Sequence, residues 1–264
     1  MYGILRLKPD YGARNMLPTD MLDDSLLREY METFYGYGNL DGTYWFIGME
    51  EGSSGKIEEI AHRLAVWQEL GKFPVEDLVR YHRNLGVDCF FRPKAKLQPT
   101  WNKLIRMQLS AEGTVPSTEM VRQFQEKNLG KHSDNNCILE LLPLPSKLMA
   151  TWIYHKYSHI PELQSRELYH HVWMEKREPL LQELIVRHRP PYVVFYSVNS
   201  SYQCSWKKIA NIATEWHVID GVQFANNEHT VFAITKHPVA KGVTSEYFHT
   251  IGKNLARERV TLLG

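Results

Sequence analysis

The segment 43–56, TYWFIGMEEGSSGK, restricts the fold of this chain more than any other. It begins with an apolar, β-prone run, Tyr44 to Ile47, which stops at Gly48. Glu50 and Glu51 follow, and then a Gly/Ser-rich turn and the start of a helix. A buried strand that ends in glycines and acids just before a helix is where open α/β sheets place their ligand sites. The alternative interpretation is an ordinary strand–turn–helix with two solvated glutamates.

Further apolar runs alternate with helical patterns along the rest of the chain. Strands are predicted over residues 43–49, 136–142, 192–196, 216–219 and 230–235. Helices are predicted over residues 20–37, 57–70, 75–84, 147–189 with a break at Pro161, 200–213 and 244–258, and one begins near Thr100. Strands separated by helices predict an α/β fold with a mostly parallel sheet and helices on both faces.

Length and charge limit the organisation of the chain. Its 264 residues, 43% of them hydrophobic, suffice for one sizeable core in one or at most two domains. We predict a single domain over residues 1–264, in which residues 1–20 form an irregular N-terminal arm. The net charge of +1 leaves no global basic field, so any binding of nucleic acid depends on a local patch.

Cysteine and histidine usage argues against a metal centre. Cys89, Cys137 and Cys204 lie far apart without a CxxC pair, which indicates reduced thiols in the cytoplasm and argues against a zinc ribbon, an iron–sulfur cluster or a disulfide scaffold. His155 and His159 have a metal-compatible spacing but no acidic helper, and we interpret them as surface or packing residues. Since we also find no signal peptide and no apolar run that could span a bilayer, we expect a cytoplasmic protein without membrane association, metal or cofactor.

The segment 90–106, FFRPKAKLQPTWNKLIR, is the best candidate for a local basic patch. It interleaves basic and aromatic residues, which is typical of surfaces that face nucleic acid. It begins as a loop broken by Pro93 and Pro99 and continues as a helix for which Thr100 is a candidate cap. The alternative is a solvated helix face whose aromatic residues belong to the core.

Glu140 is the unusual residue of the second long strand, 136–142. A carboxylate in a buried strand is costly unless it is paired, protonated or at the exposed end of the strand. The alternative is an alternating strand in which Glu140 faces water. The run CILELL favours burial, and we therefore interpret Glu140 as a working residue. Residues 143–146, PLPS, end the strand.

Three strand ends carry, in order, the segments 48–52 (GMEEG), 139–146 (LELLPLPS) and 235–239 (TKHPV). Together these segments resemble the motifs of the uracil-DNA glycosylase superfamily. Residues 48–52, GMEEG, stand where that family has a G-x-(D/N)-P-type turn after its first strand. Residues 139–146, LELLPLPS, stand where a strand ends in asparagine before a proline-containing loop, and residues 235–239, TKHPV, stand where the last strand enters an HPS-type loop. The resemblance covers about residues 40–258. It implies a three-layer α/β/α fold with a central, mostly parallel four-stranded sheet, and DNA glycosylase activity.

The chain departs from the family pattern at four of these motif positions. Glu50 replaces Asp or Asn, Glu51 replaces proline, Glu140 replaces the base-reading asparagine and Val239 replaces serine. The four-cysteine cluster of some members is also missing. These departures leave the fold expectation unchanged and leave the target base open.

Glycosylase chemistry assigns expected roles to the matching positions. Such an enzyme extrudes its base, and bond cleavage then builds positive charge on the sugar and negative charge on the departing base. The resemblance implies that Glu50 steadies the sugar cation and activates water, and that His237 donates to the base oxygen. Whether Glu50 or Glu51 is the catalytic carboxylate stays open at this point.

The resemblance also implies binding positions. Those expected to contact the base are Gly48, Glu51, Glu140 and Phe91, or its neighbour Phe90, which would stack on the base. Those expected to contact DNA phosphates are Ser53, Ser146, Lys236 and Lys241, together with the N–H groups that open the last helix. The expected partner is DNA, bound by a monomer.

The identity of residue 140 suggests the substrate. An ionised Glu140 only accepts hydrogen bonds, which suits the exocyclic amine of cytosine and is worth about 1–3 kcal/mol of base discrimination. Some relatives in the superfamily act in bacterial defence on modified phage cytosines, so we expect a cytosine-like modified base in phage DNA. A protonated Glu140 could instead donate to O4 of uracil, which keeps repair of uracil or another deaminated base open.

Two other functions are weighed against glycosylase activity. A phosphate-binding loop is suggested by residues 52–56, GSSGK, but GxxxxGK[ST] requires glycine at Glu50 and Ser or Thr at Ile57. A non-catalytic protein that binds DNA or a partner on the same fold stays an alternative. A catalytic site requires Glu50, Glu140 and His237 to converge.

Overall fold

The fold combines the following strands and helices, within residues 21–147 and 151–263, which the computed structural model describes. The strands are β1 (Gly36–Gly38), β2 (Tyr44–Gly48), β3 (Val75–Glu76), β4 (Asn136–Glu140), β5 (Tyr192–Tyr196), β6 (His217–Ile219), β7 (Val222–Asn226) and β8 (Val231–Thr235). The α-helices are α1 (Asp24–Thr33), α2 (Ile57–Glu69), α3 (Leu78–Asn84), α4 (Pro99–Ala111), α5 (Thr118–Lys127), α6 (Arg166–His188), α7 (Ser200–Ala210) and α8 (Ser245–Leu263). The predicted α/β class is confirmed. The predicted arm, 1–20, lies outside the described residues.

The eight strands form one mixed sheet in the order β3-β1-β4-β2-β5-β8-β7-β6. Its central strands, β4, β2, β5 and β8, are parallel, whereas β1 pairs antiparallel with β4, and β7 pairs antiparallel with both β8 and β6. The prediction of a four-stranded sheet is therefore wrong. Strands β1 and β3 contain only three and two residues, too few for a hydrophobic period to reveal them.

Glycines let β1 approach β4 closely. A Cβ atom on Gly36 would lie 2.1 Å from the carbonyl oxygen of Ile138, and one on Gly38 would lie 2.4 Å from that of Asn136. Their φ angles, +144° and +112°, are also ones that other residues rarely adopt. Gly-Tyr-Gly is a poor strand sequence by propensity, but here the missing side chains permit the pairing.

Both faces of the central sheet are covered. Every residue of β2, β5 and β8 is buried, and successive side chains of a strand point to opposite faces. Among the helices, α4 packs against α8 and α5, and α6 packs against α7. Polar chemistry on the central strands is therefore confined to their ends.

Several predicted element boundaries are wrong. The first helix is shorter than 20–37, because it begins after its cap, Asp23, and the chain enters β1 soon after Thr33. The predicted cap Asp20 lies outside the described residues. The predicted helix 75–84 divides into β3 and α3, where Asp77 accepts from the amide of Arg80. Helix α4 begins at Pro99 and is capped by Gln98, not by Thr100.

The segment 147–189 is less helical than predicted. The described part before α6 contains only short 3₁₀ turns, Tyr154–Lys156 and Pro161–Leu163. Helix α6 begins at Arg166, where the Ser165 side chain caps it by accepting from the amide of Leu168. This late start places Arg166 in the first turn of the helix. Within residues 21–147 and 151–263, no helix combines the length and apolar character needed to cross a membrane.

Candidate active site at the carboxyl edge of the sheet

The loops that leave β2 and β4 run side by side at the carboxyl edge, which we define as the edge where the parallel strands β4, β2, β5 and β8 end. The amide of Leu141 donates to the carbonyl of Gly48 at 2.9 Å, and the amide of Leu142 donates to that of Met49 at 2.8 Å. Further along, the amide of Ser146 donates to the carbonyl of Glu51 at 2.9 Å. The β2–β4 pairing thus continues beyond the strands and holds the loop that carries Glu50 and Glu51 beside the loop that follows Glu140.

Glu140, Gly48 and Tyr196 meet at the centre of this edge. Gly48 and Glu140 are register partners, and Tyr196 Oη donates to Glu140 Oε1 at 3.2 Å. Glu140 as a whole is only partly buried, but its Oε2 is shielded from solvent and has no hydrogen-bond partner among the described residues. A Cβ on Gly48 would lie 2.3 Å from Tyr196 Oη and 2.4 Å from Glu140 Oε2, so only glycine fits there.

The environment of Glu140 favours its neutral form. Burial is the main cause that raises its pKa well above the ordinary value, and the negative charges of Glu51 and Glu50 add to it. The hydrogen bond from Tyr196 and the charge of Arg177 act in the opposite direction without cancelling it. The ionised, accept-only Glu140 on which the cytosine expectation rests is therefore not the form that this environment favours.

Arg177 fixes the backbone at the end of β4. Its guanidinium donates to the carbonyl oxygens of Glu140 at 3.0 Å and Leu141 at 3.2 Å, and it lies 4.0 Å from the centre of the Tyr35 ring. The residue is fully buried, and burial lowers the pKa of Arg177 to about 10. A buried cation thus holds the strand end that carries Glu140.

Glu50 is held by one oxygen. Its Oε1 accepts from Arg166 Nη2 at 2.5 Å, and Arg166 Nη1 donates to Ser146 Oγ at 3.0 Å. The other oxygen, Oε2, is buried without a hydrogen-bond partner among the described residues. Burial raises the pKa of the Glu50 carboxyl even though the charge of Arg166 opposes this shift.

Glu51, in contrast, is engaged by an arginine and a tyrosine through Oε2. Its Oε2 lies 2.9 Å from Arg63 Nη1 and accepts from Tyr37 Oη at 3.0 Å, while His82 Nε2 lies 3.9 Å from Oε1. Arg63 also binds Glu59, with 3.0 Å between Nε and Oε1. Of the two neighbouring glutamates, Glu50 therefore has a buried oxygen without a hydrogen-bond partner among the described residues, and Glu51 belongs to a partly buried ionic network.

His237 lies in the loop after β8 and is oriented by its own backbone. The amide of Val239 donates to His237 Nδ1 at 3.3 Å, and the amide of Ala240 donates to the carbonyl of His237 at 2.9 Å. Since Nδ1 accepts, the neutral ring carries its proton on Nε2. Burial lowers the pKa of His237 to about 4, so the ring is neutral near pH 7. Its ring lies 5.6 Å from that of Tyr196, centre to centre.

Phe91 and Phe90, of which one is expected to stack on the base, are both buried in the protein interior. Phe91 is 2% exposed and packs 5.8 Å from His82 and 5.6 Å from Trp101, between ring centres. Phe90 is also buried. The basic residues of the segment 90–106 include Arg92, Lys94 and Lys96, all exposed. In this segment the aromatic side chains therefore belong to the core, and the basic side chains are solvated. Phe91 is connected to the candidate site through its contact with His82.

The residues expected to bind phosphates differ in exposure. Lys236 and Lys241 are exposed, and Lys236 Nζ lies 5.6 Å from the centre of the Tyr247 ring. Ser146 is buried with its hydroxyl on Arg166, and Ser53 Oγ accepts from the amide of Gly55 at 3.0 Å. The two lysines are thus accessible to a polyanion, whereas the serines already have partners within the protein.

Sequence reasoning did not identify Tyr196, Arg166, Arg177 or Arg63. Tyr196 could have been found, because it ends a predicted central strand with a polar group. Arg166 had no local signal, since it binds Glu50 across 116 positions of the chain. Within the described residues, no group of three or more His, Cys, Asp or Glu side chains is arranged to hold a metal ion.

A cavity of about 180 Å³ lies away from the carboxyl edge. It is lined by residues at the amino ends of β5 and β8 and at the ends of α6 and α7, among them Ile185, Arg189, Asn211 and Thr230. Parallel strands place their two ends at opposite edges of a sheet, so this cavity is separate from Glu50 and Glu140.

Neither a scan against protein-family models nor a search of curated proteins finds a match for this chain.

Proposed function

We propose that this chain is a DNA glycosylase of the uracil-DNA glycosylase type, which hydrolyses the N-glycosidic bond of a base flipped out of DNA. The observation that carries the proposal is that Glu50 and Glu140 lie at the same carboxyl edge, where the charge of Glu50 acts on Glu140, and that each has a buried oxygen without a hydrogen-bond partner among the described residues. Tyr196 connects Glu140 to His237. The four central parallel strands support the corresponding three-layer fold, with short strands added outside them.

Glu50 is the catalytic carboxylate in this proposal. Arg166 fixes Oε1, so Oε2 is the atom that orients and deprotonates water and steadies the positive charge on the sugar. Burial raises the pKa of the Glu50 carboxyl above its ordinary value, which makes the carboxylate a stronger base. Glu51 supports the loop through Arg63 and does not take part in the chemistry.

His237 assists the departing base. Its neutral ring carries a proton on Nε2, and an N–H donor aimed at a base oxygen stabilises the negative charge that develops there. Lys236 and Lys241 flank this loop and hold the phosphates on either side of the flipped nucleotide. No step needs a metal or cofactor.

The target base follows from the protonation of Glu140. An ionised Glu140 would accept from the amine of cytosine, as expected for a cytosine-like modified base in phage DNA and a role in defence. The neutral form, which burial favours, donates one hydrogen bond and also serves O4 of uracil. Modified cytosine and uracil or another deaminated base are therefore both targets to test.

The proposal is tested by release of the base. The full chain is incubated with DNA that carries uracil, cytosine, 5-hydroxymethylcytosine or its glucosylated form, and abasic sites are counted. We expect abasic sites with one of these bases, and Glu50→Gln lowers their rate of formation by about 10²–10⁴-fold because it removes the general base. Glu58→Gln, an exposed change on α2, is the matched control and retains the rate.

A non-catalytic DNA-binding protein on the same fold is the second candidate. It is favoured by the packing of the carboxyl edge, where Arg166 already binds Glu50, and by the burial of Phe91, which is only 2% exposed. A base enters such a site only after rearrangement. Salt-dependent DNA binding without abasic sites on any of the four substrates would support this candidate and contradict the glycosylase.

A further inference from the structure

Tyr196 occupies the junction between three of the motifs that define the proposed site. It is the last residue of β5, and its side chain reaches Glu140 at the end of β4, the backbone of Gly48 at the end of β2 and the ring of His237 beyond β8. The residue is 3% exposed. A side chain with these contacts affects any group that reaches the carboxyl edge.

The hydroxyl of Tyr196 gives the two oxygens of Glu140 different roles. Oε1 accepts from Tyr196 Oη at 3.2 Å, while Oε2 has no hydrogen-bond partner among the described residues. A carboxyl group without such a neighbour can rotate and exchange its oxygens freely. In the arrangement in which the phenol donates to Oε1, the proton of a neutral Glu140 resides on Oε2, whereas a proton on Oε1 would require the phenol to accept instead.

We propose that Tyr196 is a specificity-determining residue of the base site, which engages Oε1 of Glu140 and thereby directs Oε2–H as a hydrogen-bond donor towards the extruded base. The inference rests on the proposed function and extends it. The class of ligand that fits is a pyrimidine that presents a keto oxygen, O4, at this contact. A base that presents an amine there would place two donors face to face.

Other charges and titratable groups bear on the same carboxyl group. Glu50 and Glu51 reach it from the loop after β2, and Arg177 reaches it from α6. Arg177 binds the backbone of Glu140 rather than its side chain, and the carboxylates of Glu50 and Glu51 have arginine partners of their own. Tyr196 is thus the described residue that donates directly to the carboxyl group of Glu140.

The first test reads the carboxyl group itself and does not depend on catalysis. Carbon-13 NMR follows the titration of the Glu140 carboxyl, assigned through Glu140→Gln, in the wild type and in Tyr196→Phe. Because a donor to Oε1 favours the ionised form, its removal is expected to raise the pKa of Glu140. Tyr192→Phe is the matched control, since Tyr192 lies at the other end of β5 and stacks on Tyr44. An unchanged titration in Tyr196→Phe overturns the inference.

The second test reads base choice through binding. Oligonucleotides that carry uracil or cytosine on a 2′-fluoroarabino sugar, which resists cleavage, are compared by affinity. The wild type is expected to prefer the base that offers O4 by about 10-fold, and Tyr196→Phe is expected to lose that preference while Tyr192→Phe keeps it. Equal preference in wild type and Tyr196→Phe overturns the inference even where abasic sites form. Loss of the preference supports it even where no abasic site forms, in which case only the proposed catalysis fails.

Discussion

At the scale of single residues, the pairing of Glu50 with Arg166 is expected to contribute strongly to stability. Their side chains are 12% and 8% exposed, so removal of the arginine leaves a carboxylate in a buried position without its counter-charge. We expect Arg166→Ala to lower the free energy of unfolding by about 3–5 kcal/mol, measured by urea unfolding. Adding Glu50→Gln to this variant restores part of the loss, because the unpaired charge is then gone.

An exposed ion pair provides the control for this prediction. Arg187 and Glu183 form a pair on α6 whose side chains are 63% and 61% exposed. Arg187→Ala is expected to change the free energy of unfolding by less than about 1 kcal/mol, since water already solvates both charges. If the two alanine variants lose equal stability, the Arg166 pair does not have the importance assigned to it here.

At the scale of elements, strand β1 depends on glycine. A methyl group on Gly36 would lie 2.1 Å from the carbonyl oxygen of Ile138 and would force β1 away from β4. We expect Gly36→Ala to lower the free energy of unfolding by about 3 kcal/mol, through overpacking and backbone strain together. It also displaces Tyr37, which donates to Glu51, so the ionic network beside the site weakens with the strand.

Gly86 separates the effect of overpacking from that of backbone strain in this prediction. Its φ angle is also positive, +72°, but a Cβ there would meet no atom within 4 Å. Gly86→Ala is therefore expected to cost about 1 kcal/mol, from backbone strain alone. Equal losses in the two variants, measured by chemical denaturation, would show that the close approach of β1 to β4 contributes nothing.

At the scale of the whole molecule, buried titratable groups make the free energy of unfolding depend on pH. Some of them favour the folded state at higher pH and others favour it at lower pH. Burial lowers the pKa of His82 and of His237 to about 4, so the stability that these neutral rings contribute is complete above their unfolded pKa of about 6.5 and is lost as the pH falls towards 4. The raised pKa of Glu140 acts in the other direction, because its contribution is complete at acid pH and is lost as the pH rises through its folded value.

His82→Gln tests the acid side of this dependence. Glutamine keeps a donor for the carbonyl of Leu78, which His82 contacts at 2.9 Å, but it does not titrate. As the pH falls from 6.5 towards 4, the free energy of unfolding of the variant is expected to decrease by about 1.4 kcal/mol less per pH unit than that of the wild type. Urea unfolding at pH 7 and pH 5 measures the difference. His155→Gln, an exposed change, should follow the wild type, and a parallel loss in His82→Gln would contradict the prediction.

Much of the fold was predictable because its determinants are local. Apolar runs without polar alternation identified the central strands, and glycine, acid and proline residues marked where they end. Glu140 was recognised as unusual because a carboxylate interrupts such a run. The short strands β1 and β3 were missed, since two or three residues show no period and the glycines of β1 have a reason only in the presence of β4.

The sequence by itself therefore determined the α/β class, the central strands and the strand ends on which polar groups are placed, because these follow from hydrophobic period and turn chemistry. Only the tertiary structure decided which groups pair. Arg166 reaches Glu50 across 116 positions, Arg63 pairs with Glu51, and Tyr196 engages one oxygen of Glu140. The protonation of Glu140 was likewise decided by packing, because burial and neighbouring charges, rather than residue type, set the pKa of a carboxyl group.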